Sequence, residues 1–564
     1  MDHPRLTAQL VETAQPVETA QPPTPAATHE TYRNPTLNAD WPDPDAVRVG
    51  EDYWMIASSF NRAPGLPVLH SRDLVRWEHV TNALPAVPPS EHFAVPRRGG
   101  GVWAPSLRHH DGVFHIVHPD PDHGLFVTSA EDPRGPWSTP HLLLPGRGLI
   151  DPCPVWAEDG RAYVVFGWAR SRAGVKNRIS LVEVDPQLRR PLSESRVIID
   201  GDAIPGCTTL EGPKIYRRDG WHWIFAPAGG VATGWQYVFR SRDIAGPYEH
   251  RVVLEQHDTD INGPHQGAWV TTPAGEDWFL HFQDRGPFGR VVHLQPMRWD
   301  DDGWPRLGEP VDEVSGRPVL EHPVPHPMPR PGSPAQREPS RSDEFRSAVL
   351  APRWHWQANP EPDWLHLPGD GTARLRALPA AGDDLRRHGA VLGQQLPGQA
   401  GRWTTRLHLE DPSPGAQAGL AVLGDTYTWL GLEHREDGTW LVCRTGGAAV
   451  DAAASASADA ADDASAAGPA ETTVAELRAS DAVELALTHD DDARITFFWR
   501  HHPQDPWRQV DPGFTATQGR WIGAEVGLFA RRPAPLTGGA RSATGTVGHG
   551  VFSAVTVCMD GRRV

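Results

Sequence analysis

Cysteine is scarce in this sequence, with four copies in 564 residues: Cys153, Cys207, Cys443 and Cys558. They show neither the CxxC nor the CxH spacing of a zinc site, and four in a chain of this length do not form a disulfide framework. We interpret them as free, buried thiols that pack as small apolar side chains. A fold that depends on disulfide bonds or structural zinc is therefore excluded.

Long apolar runs are also absent. No stretch reaches the roughly 18 apolar residues that a membrane-spanning helix needs. Near the start, residues 11–16 (VETAQP) are repeated directly as residues 17–22, and no positive region followed by an apolar one is present. This pattern is not that of a signal peptide and predicts a disordered leader over residues 1–30. We expect a soluble cytoplasmic protein with no membrane partner, and export by another route stays open.

Positive charge is in deficit as well. There are 53 Lys and Arg against 71 Asp and Glu, the net charge is −18, and no dense basic stripe occurs. Nucleic-acid binding depends on clustered positive charge, so nucleic acid is not an expected partner. The nucleophile elbow Gly-x-Ser-x-Gly, the zinc motif His-Glu-x-x-His and the phosphate- and dinucleotide-binding loops are also missing, which excludes the enzyme classes that depend on them.

Tryptophan, by contrast, is abundant, with 23 copies. Part of this excess fills hydrophobic cores. Exposed indoles also suit sugars, because the apolar face of a pyranose lies flat on an aromatic ring while its hydroxyls need polar neighbours. The composition therefore favours a carbohydrate ligand.

Five segments of the first half share one layout. Each has a leading residue, a short apolar strand, a turn and a second apolar strand. The residues that lead these segments are Asp43, Trp103, Asp151, Glu211 and His265. A repeat of roughly 50 to 60 residues made of short strands and turns is typical of a propeller with about four strands per blade. Because the innermost strand of each blade starts near the central axis, we expect the five residues to share one pocket.

Composition divides the chain into regions. The five-fold pattern occupies residues 31–320, and a proline-rich stretch predicts a stiff linker over residues 321–341. Short alternating runs over residues 342–564 are typical of an antiparallel β-sandwich of the jelly-roll or concanavalin-like kind. Within it, residues 446–473 are almost entirely Ala, Ser, Asp and Gly, which predicts a mobile insertion. The predicted fold class is all-β, a five-bladed β-propeller followed by a β-sandwich.

Three of the five leading residues are carboxylates, and hydrolysis of a glycosidic bond needs carboxyl groups. One group must protonate the leaving oxygen, and a second must activate water or attack the anomeric carbon. Alone, an Asp before Pro is a common turn, a Trp is more often core, and a His is more often a satisfied interior residue. The occurrence of acids at matching points of three repeats favours a shared active site.

Several short motifs occur in a specific order: Asn34-Pro35, Trp41-Pro42-Asp43-Pro44, Gly101-Val102-Trp103-Ala104-Pro105, Ile150-Asp151-Pro152, Glu211-Gly212-Pro213 and Gly289-Arg290. In this combination, residues 32 to about 310 resemble glycoside hydrolase family 43. The region from about residue 342 resembles the sandwich appended to the family's β-xylosidases, in which a sandwich loop closes one side of the pocket. The sequence does not identify the residue that would do so here.

The resemblance implies an enzyme that cleaves with inversion and removes terminal sugars from xylan- or arabinan-derived chains. Asp43 would be the general base that activates water, Glu211 the general acid, and Asp151 the residue that raises the pKa of the acid and orients it. Inversion requires the base and the acid to stand roughly 6.5 to 9.5 Å apart, so that a water fits between them and the sugar.

The resemblance also implies residues that bind the sugar. Phe60 and Trp103 would line the subsite of the terminal sugar, and Arg290 would hydrogen-bond its hydroxyls. His265 would lie on the propeller axis, where some family members hold a calcium ion or a water cluster. No required cofactor is expected, and the propeller axis is only a candidate position for a calcium ion.

The expected function is that of an exo-acting β-xylosidase that releases xylose from short β-1,4-xylo-oligosaccharides. An α-L-arabinofuranosidase, or an enzyme with both activities on arabinose-substituted oligosaccharides, remains an alternative because the two sugars place similar hydroxyls around the bond. A non-catalytic sugar-binding propeller is a further alternative, against which the presence of all three acids argues. The sequence does not predict the oligomeric state.

Overall fold

The computed structural model describes residues 30–325, 339–380, 382–447, 470–478, 481–533, 548–559 and 561–564. These residues form strands almost throughout, with one short α-helix, Arg170–Ala173, and four 3-10 helices, His92–Ala94, Gly201–Ala203, Gly286–Phe288 and Leu385–Arg387. No helix in the described part of the chain has the length and apolar character needed to cross a membrane. The predicted leader, most of the predicted linker and most of the predicted insertion lie outside the described residues.

The first half consists of five antiparallel blades. Blade one contains Asp45–Val49, Asp52–Ile56, Gly65–Ser71 and Glu78–Leu84, and blade two contains Ser106–His110, Val113–Asp120, Gly124–Ala130 and His141–Pro145. Blade three contains Leu149–Trp156, Ala162–Trp168, Arg178–Val184 and Arg196–Asp200. Blade four contains Lys214–Arg218, Trp221–Ala228, Trp235–Ser241 and Glu249–Leu254, extended by Gly316–Arg317 and Glu309–Pro310. Blade five contains His265–Thr271, Asp277–Asp284, Arg290–Trp299 and Pro305–Leu307.

The blades form a closed ring around their first strands. The first strands of blades one to four contact one another in sequence, and the first strand of blade five contacts blades one and four. The strand Thr31–Arg33 pairs with Glu321–Pro323, which joins the two ends of the propeller. Residues 321–323 were predicted as linker, but they form this edge strand, a position in a sheet that tolerates proline.

Local sequence explains the blades. Asp111-Gly112 and Asp219-Gly220 have positive φ at both residues, as a tight two-residue hairpin requires, and they join the first two strands of blades two and four. The second strands are buried along most of their length because neighbouring blades cover both faces; in Ala162–Trp168 every residue but the last is buried. The apolar residues thus pack between blades and leave the strand ends at the axis free to carry polar groups.

The second half is a β-sandwich of two sheets. One sheet has the strand order His355–Trp356, Val391–Gln395, Glu525–Pro533, Gln417–Leu423, Tyr427–Arg435, Gly438–Gly446 and Ala470–Leu477, with Leu378–Ala380 beside Glu525–Pro533. The other has the order Leu365–His366, Thr372–Arg376, His549–Ser553, Gly401–Glu410, Val483–His489, Arg494–Arg500 and Arg508–Thr515, with Thr556–Met559 and Arg562–Arg563 attached. One hydrophobic core lies between the sheets and includes Leu407, Leu430 and Phe552.

The sandwich packs directly on the propeller. Ala63 of blade one forms a β-bridge with Trp356, and the Asn61 side chain donates to the Gln357 carbonyl at 2.7 Å. On the other side of the contact, Ala524 N donates to the Pro287 carbonyl at 2.7 Å. The four cysteines are free, as predicted; Cys558 is half-buried, whereas the other three are buried.

Candidate active site

The three acids lie where the chain enters the first strand of a blade. Asp43 and Asp151 have left-handed backbone conformations, with φ of 55° at each, and a proline follows each of them. Asp is one of the few non-glycine residues that tolerate this conformation. In blade four the left-handed residue before proline is Gly212, with φ of 60°, so Glu211 lies one position earlier. The interpretation that all three acids occupy matching points of the repeat is therefore wrong for Glu211.

Asp43 is buried and is held by two donors from different blades. Arg290 Nη1 donates to Asp43 Oδ1 at 2.7 Å, and Ser58 Oγ donates to Oδ2 at 2.5 Å. Arg290 is the first residue of the third strand of blade five, so its guanidinium reaches across to blade one. A hydrogen bond from a cation is stronger than one from a neutral donor. Both carboxylate oxygens of Asp43 therefore have a fixed donor.

Asp151 and Glu211 form a second carboxyl pair. The N–H of Gly212, next to Glu211, donates to Asp151 Oδ2 at 2.7 Å. Burial and then repulsion from the carboxylates of Glu211 and Asp43 raise the pKa of Asp151 to about 8. Because repulsion acts on both members, the pair retains a proton at a pH at which an isolated carboxyl group is ionised.

Glu211 is the most accessible of the acids. Its side chain is 24% exposed, compared with 6% for Asp43. Glu211 Oε1 lies 3.1 Å from His265 Nε2, and the His265 side chain is buried at the start of blade five. The buried His265 ring therefore positions Glu211, whose side chain remains partly accessible to solvent.

Trp103, which the resemblance assigns to the sugar subsite, belongs to a group of three aromatic rings. Trp103 is half-buried, and its ring centroid lies 6.3 Å from that of Phe60. Trp521, from the sandwich, meets Trp103 edge-on, with the centroids 6.0 Å apart. Phe60 is 2% exposed, so it packs behind Trp103 and presents little surface of its own. Trp103 and Trp521 are the more exposed rings of this group.

Family models match both halves of the chain. Residues 32–305 match the model "Glycosyl hydrolases family 43", and residues 342–541 match "Beta xylosidase C-terminal Concanavalin A-like domain". A protein of Xylanibacter ruminicola is 37% identical over 409 residues, which cover 71% of this chain and 72% of that protein. The chain belongs to glycosyl hydrolase family 43. Its substrates are accordingly glycosides, and the predicted all-β fold, a propeller followed by a sandwich, is confirmed.

Two further relatives of this family 43 chain carry activity names. A "Beta-xylosidase" of Formosa agariphila is 32% identical over 461 residues, covering 72% of this chain and 76% of that protein. A "Non-reducing end alpha-L-arabinofuranosidase BoGH43B" of Bacteroides ovatus is 29% identical over 369 residues, covering 62% and 65%. The crystal structure of a xylan beta-1,4-xylosidase from Bacillus halodurans superposes with a TM-score of 0.77 at 23% identity, covering 93% of this chain and 99% of that one. That superposition extends the similarity of fold to both domains.

A buried ionic layer lies beneath the acids of the family 43 site. Lys214, the first residue of blade four, is fully buried; its Nζ donates to the Pro105 carbonyl at 2.6 Å and lies 3.7 Å from Asp45 Oδ2. Arg108 Nη1 donates to the same Asp45 oxygen at 2.8 Å. Asp45, two residues after Asp43 in blade one, is thus linked to blades two and four. This layer fixes the strand starts that carry the acids.

The predicted axial calcium site is not supported by the side chains around His265. Calcium takes six to eight oxygen ligands. Within the described residues, no group of three or more His, Cys, Asp or Glu side chains could hold a metal ion, and His265 uses its Nε2 on Glu211. These residues do not fit a calcium ion bound directly by side chains.

Sequence analysis did not identify Trp521 or Ser58. Trp521 lies between two sandwich strands in a left-handed conformation, with φ of 64°, where no periodic pattern marks it. Ser58 directly follows the second strand of blade one, and only its hydrogen bond to Asp43 indicates a role. Both become visible only when distant segments are brought together.

Proposed function

We propose that this family 43 chain is an exo-acting β-xylosidase that hydrolyses short β-1,4-xylo-oligosaccharides from their non-reducing end with inversion. The observation that carries the proposal is the division of the acids into two environments. Asp43 is buried and hydrogen-bonded to the Arg290 guanidinium, whereas Glu211 is more exposed and forms a pair with Asp151, whose pKa is raised by burial and by its acidic neighbours. One base and one acid at neutral pH are the requirement for this reaction.

In the proposed reaction, Asp43 removes a proton from a water molecule, and the water oxygen bonds to the anomeric carbon from the side opposite the leaving group. Glu211 gives its proton to the glycosidic oxygen as the bond from that oxygen to the anomeric carbon breaks. The products are the shortened oligosaccharide and a xylose of inverted configuration. Solvent then takes the proton from Asp43 and returns one to Glu211. Carboxyl groups and water supply every proton, so the proposal needs no cofactor.

Asp151 acts in this scheme as the second member of the carboxyl pair. Burial and repulsion by the carboxylates of Glu211 and Asp43 raise the pKa of Asp151, so the pair holds a proton at neutral pH. The Gly212 N–H donates to Asp151 Oδ2 at 2.7 Å and fixes Asp151 beside the Glu211–Gly212 backbone. Glu211 is the more exposed member, and the scheme assigns to it the delivery of that proton to the leaving oxygen.

Exo action follows from the proposed role of the sandwich. In this proposal Trp103 and Trp521 border the site, and Trp521, in edge contact with Trp103, would limit the room beyond the first sugars. Trp103 would stack on the terminal xylose, and Arg290 would donate to a sugar hydroxyl with the nitrogen that Asp43 does not use. An oligosaccharide would then enter the site only with its non-reducing end first.

An α-L-arabinofuranosidase, alone or combined with xylosidase activity, is the second candidate. The relative from Bacteroides ovatus, which is named for that activity and matches 62% of this chain, favours it. Hydrolysis of 4-nitrophenyl β-D-xyloside and of 4-nitrophenyl α-L-arabinofuranoside by the purified full chain separates the two. Proton NMR of the first product tests inversion, and a β-configured xylose as the initial product would contradict the mechanism.

A further inference from the structure

A buried cluster of charged and polar side chains lies on the boundary between the two domains. We call Asp40 and Arg62 of the propeller with His355, Gln357 and Glu525 of the sandwich the interface cluster. Each of its members is buried, with at most 6% of its surface exposed. Buried charges destabilise a protein unless they are paired, and removal of one partner leaves the other uncompensated. The cluster therefore depends on its internal contacts.

Glu525 is the centre of these contacts. His355 Nε2 lies 2.9 Å from Glu525 Oε1, Gln357 donates to Oε2, and Arg62 donates to Oε1 through its Nε. Arg62 also pairs, through its Nη1, with Asp40 Oδ2 at 2.9 Å. The carboxylate of the sandwich is thus connected to a carboxylate of the propeller by a single guanidinium.

Asp40 carries the connection to the active site. The backbone N–H of Arg290 donates to Asp40 Oδ1 at 3.0 Å, and the N–H of Trp41 donates to the Arg290 carbonyl at 3.0 Å. A methyl group on Gly289 would lie 2.1 Å from Asp40 Oδ1, so the Asp40 carboxylate is seated on the Gly289–Arg290 backbone. The side chain of this same Arg290 donates to Asp43.

The sandwich also contacts the segment before Arg290 directly. Ala524 N donates to the Pro287 carbonyl at 2.7 Å, and a methyl group on Gly523 would lie 2.7 Å from Gly289 N. Residues 523 and 524 therefore contact the loop that leads to Arg290. Glu525 reaches, through the Arg62 guanidinium, the Asp40 carboxylate that accepts a hydrogen bond from the Arg290 backbone. An interface that served stability alone would not need to converge on this one backbone position.

We propose that Glu525 is a positioning residue for the reaction: acting through Arg62 and Asp40, it sets the place of the Arg290 guanidinium and so the orientation of Asp43. The inference rests on the proposed function, because it assigns Asp43 the task of activating water. By this inference the sandwich contributes a positioning residue to the active site in addition to the aromatic ring of Trp521. Loss of the Glu525 charge would release Arg62 toward Asp40 and shift the backbone of Arg290.

The test compares Glu525→Gln with Glu433→Gln in the full chain. Glu433 is a matched control because it is also a buried sandwich carboxylate, paired with Arg435 and Arg444, and its hydrogen bonds stay within the sandwich. Circular dichroism and thermal unfolding measure folding, and kcat and KM are measured from pH 4 to 9 at a temperature where all variants are folded, on whichever nitrophenyl glycoside the wild type cleaves. Glu525→Asp, which keeps the charge, is the conservative variant.

For Glu525→Gln we expect kcat to fall about 10- to 100-fold, the scale of a misplaced reacting group. We also expect the acidic limb of kcat/KM to move to higher pH, because the base loses part of its guanidinium support. Glu525→Asp should restore part of kcat, and Glu433→Gln should keep the wild-type kcat and pH profile even where it lowers the melting temperature. Asp40→Asn breaks the same connection from the propeller side and should reproduce both changes; it decides the question if Glu525→Gln does not fold.

Wild-type kcat and an unshifted pH profile in a folded Glu525→Gln or Asp40→Asn variant would overturn the inference. An equal loss of kcat in Glu433→Gln would also overturn it, because the effect would then be one of general stability. A wild type that cleaves neither glycoside would contradict the proposed function instead. The two failures are therefore distinguishable.

Discussion

Trp521 of the sandwich meets Trp103 of the propeller edge-on, with ring centroids 6.0 Å apart and planes inclined by 63°. Two domains that are separate in sequence thus supply adjacent rings to one contact. Edge-to-face pairs contribute about 0.5 to 1.5 kcal/mol beyond the area that they bury. The contact therefore helps to fix the position of Trp103, which the proposed function places against the terminal sugar.

Trp521→Ala should weaken the binding of short substrates. Loss of an aromatic contact of about 0.5 to 1.5 kcal/mol predicts a KM for xylobiose roughly 2- to 10-fold higher. A more open pocket should also raise activity on longer xylo-oligosaccharides relative to xylobiose. Trp440→Ala, a half-buried tryptophan on a sandwich strand, is the control. An unchanged xylobiose KM in Trp521→Ala would show that the ring does not border the sugar.

Glu211→Gln and Asp43→Asn should differ in their dependence on the leaving group. General acid or base catalysis contributes about 100- to 10,000-fold, so both variants should lose at least that much activity on xylobiose. Dinitrophenolate leaves without a proton, so Glu211→Gln should retain much of the wild-type rate on dinitrophenyl β-xyloside. Asp43→Asn should be equally impaired on both substrates because water must still be activated. A parallel loss in both variants would refute the assignment of acid and base.

The alkaline limb of activity should reflect the Asp151–Glu211 pair. The pKa of Asp151 is raised to about 8 by burial and by its acidic neighbours, so the pair holds its proton below that pH and loses it above. Activity that needs this proton should therefore persist through neutral pH and decline near pH 8. Asp151→Asn removes the repelling charge and should move the decline to lower pH, as measured by kcat/KM against pH. A limb that stays in place would show that another group sets it.

Much of the fold could be predicted because its signals are local. The Asp-Gly turns, the apolar second strands and the repeat length are properties of single segments, and the structure contains the corresponding hairpins and blades. The chain order of the motifs around Asp43, Asp151 and Glu211 also indicated a common pocket. The strand Glu321–Pro323 was missed because its pairing with Thr31–Arg33 joins segments nearly the whole propeller apart.

The site residues that could not be predicted are those whose role depends on long-range contacts. Ser58 and Trp521 carry no repeat signal, and their contacts with Asp43 and Trp103 are identified only in three dimensions. The displaced position of Glu211 was hidden for a related reason: Gly212 assumes the left-handed conformation that an aspartate assumes in two other blades. A sequence pattern identifies the acid but not the position that it occupies relative to the first strand of its blade.

Glu525 should also make stability depend on pH in the acid range. Burial alone would raise the pKa of its carboxyl group, but the charges and hydrogen bonds of Arg62 and His355 lower the pKa from 4.5 to about 2. A group with a lowered pKa stabilises the folded state above its unfolded pKa, and this contribution is lost as the pH falls from about 4.5 to about 2. At about 1.4 kcal/mol per pKa unit, it amounts to roughly 3 kcal/mol at neutral pH. Urea unfolding of the wild type and of Glu525→Gln should therefore differ most at pH 7 and progressively less toward pH 2. A difference that stays constant over that range would mean that the ionised carboxylate does not stabilise the interface, and that the variant acts through packing alone.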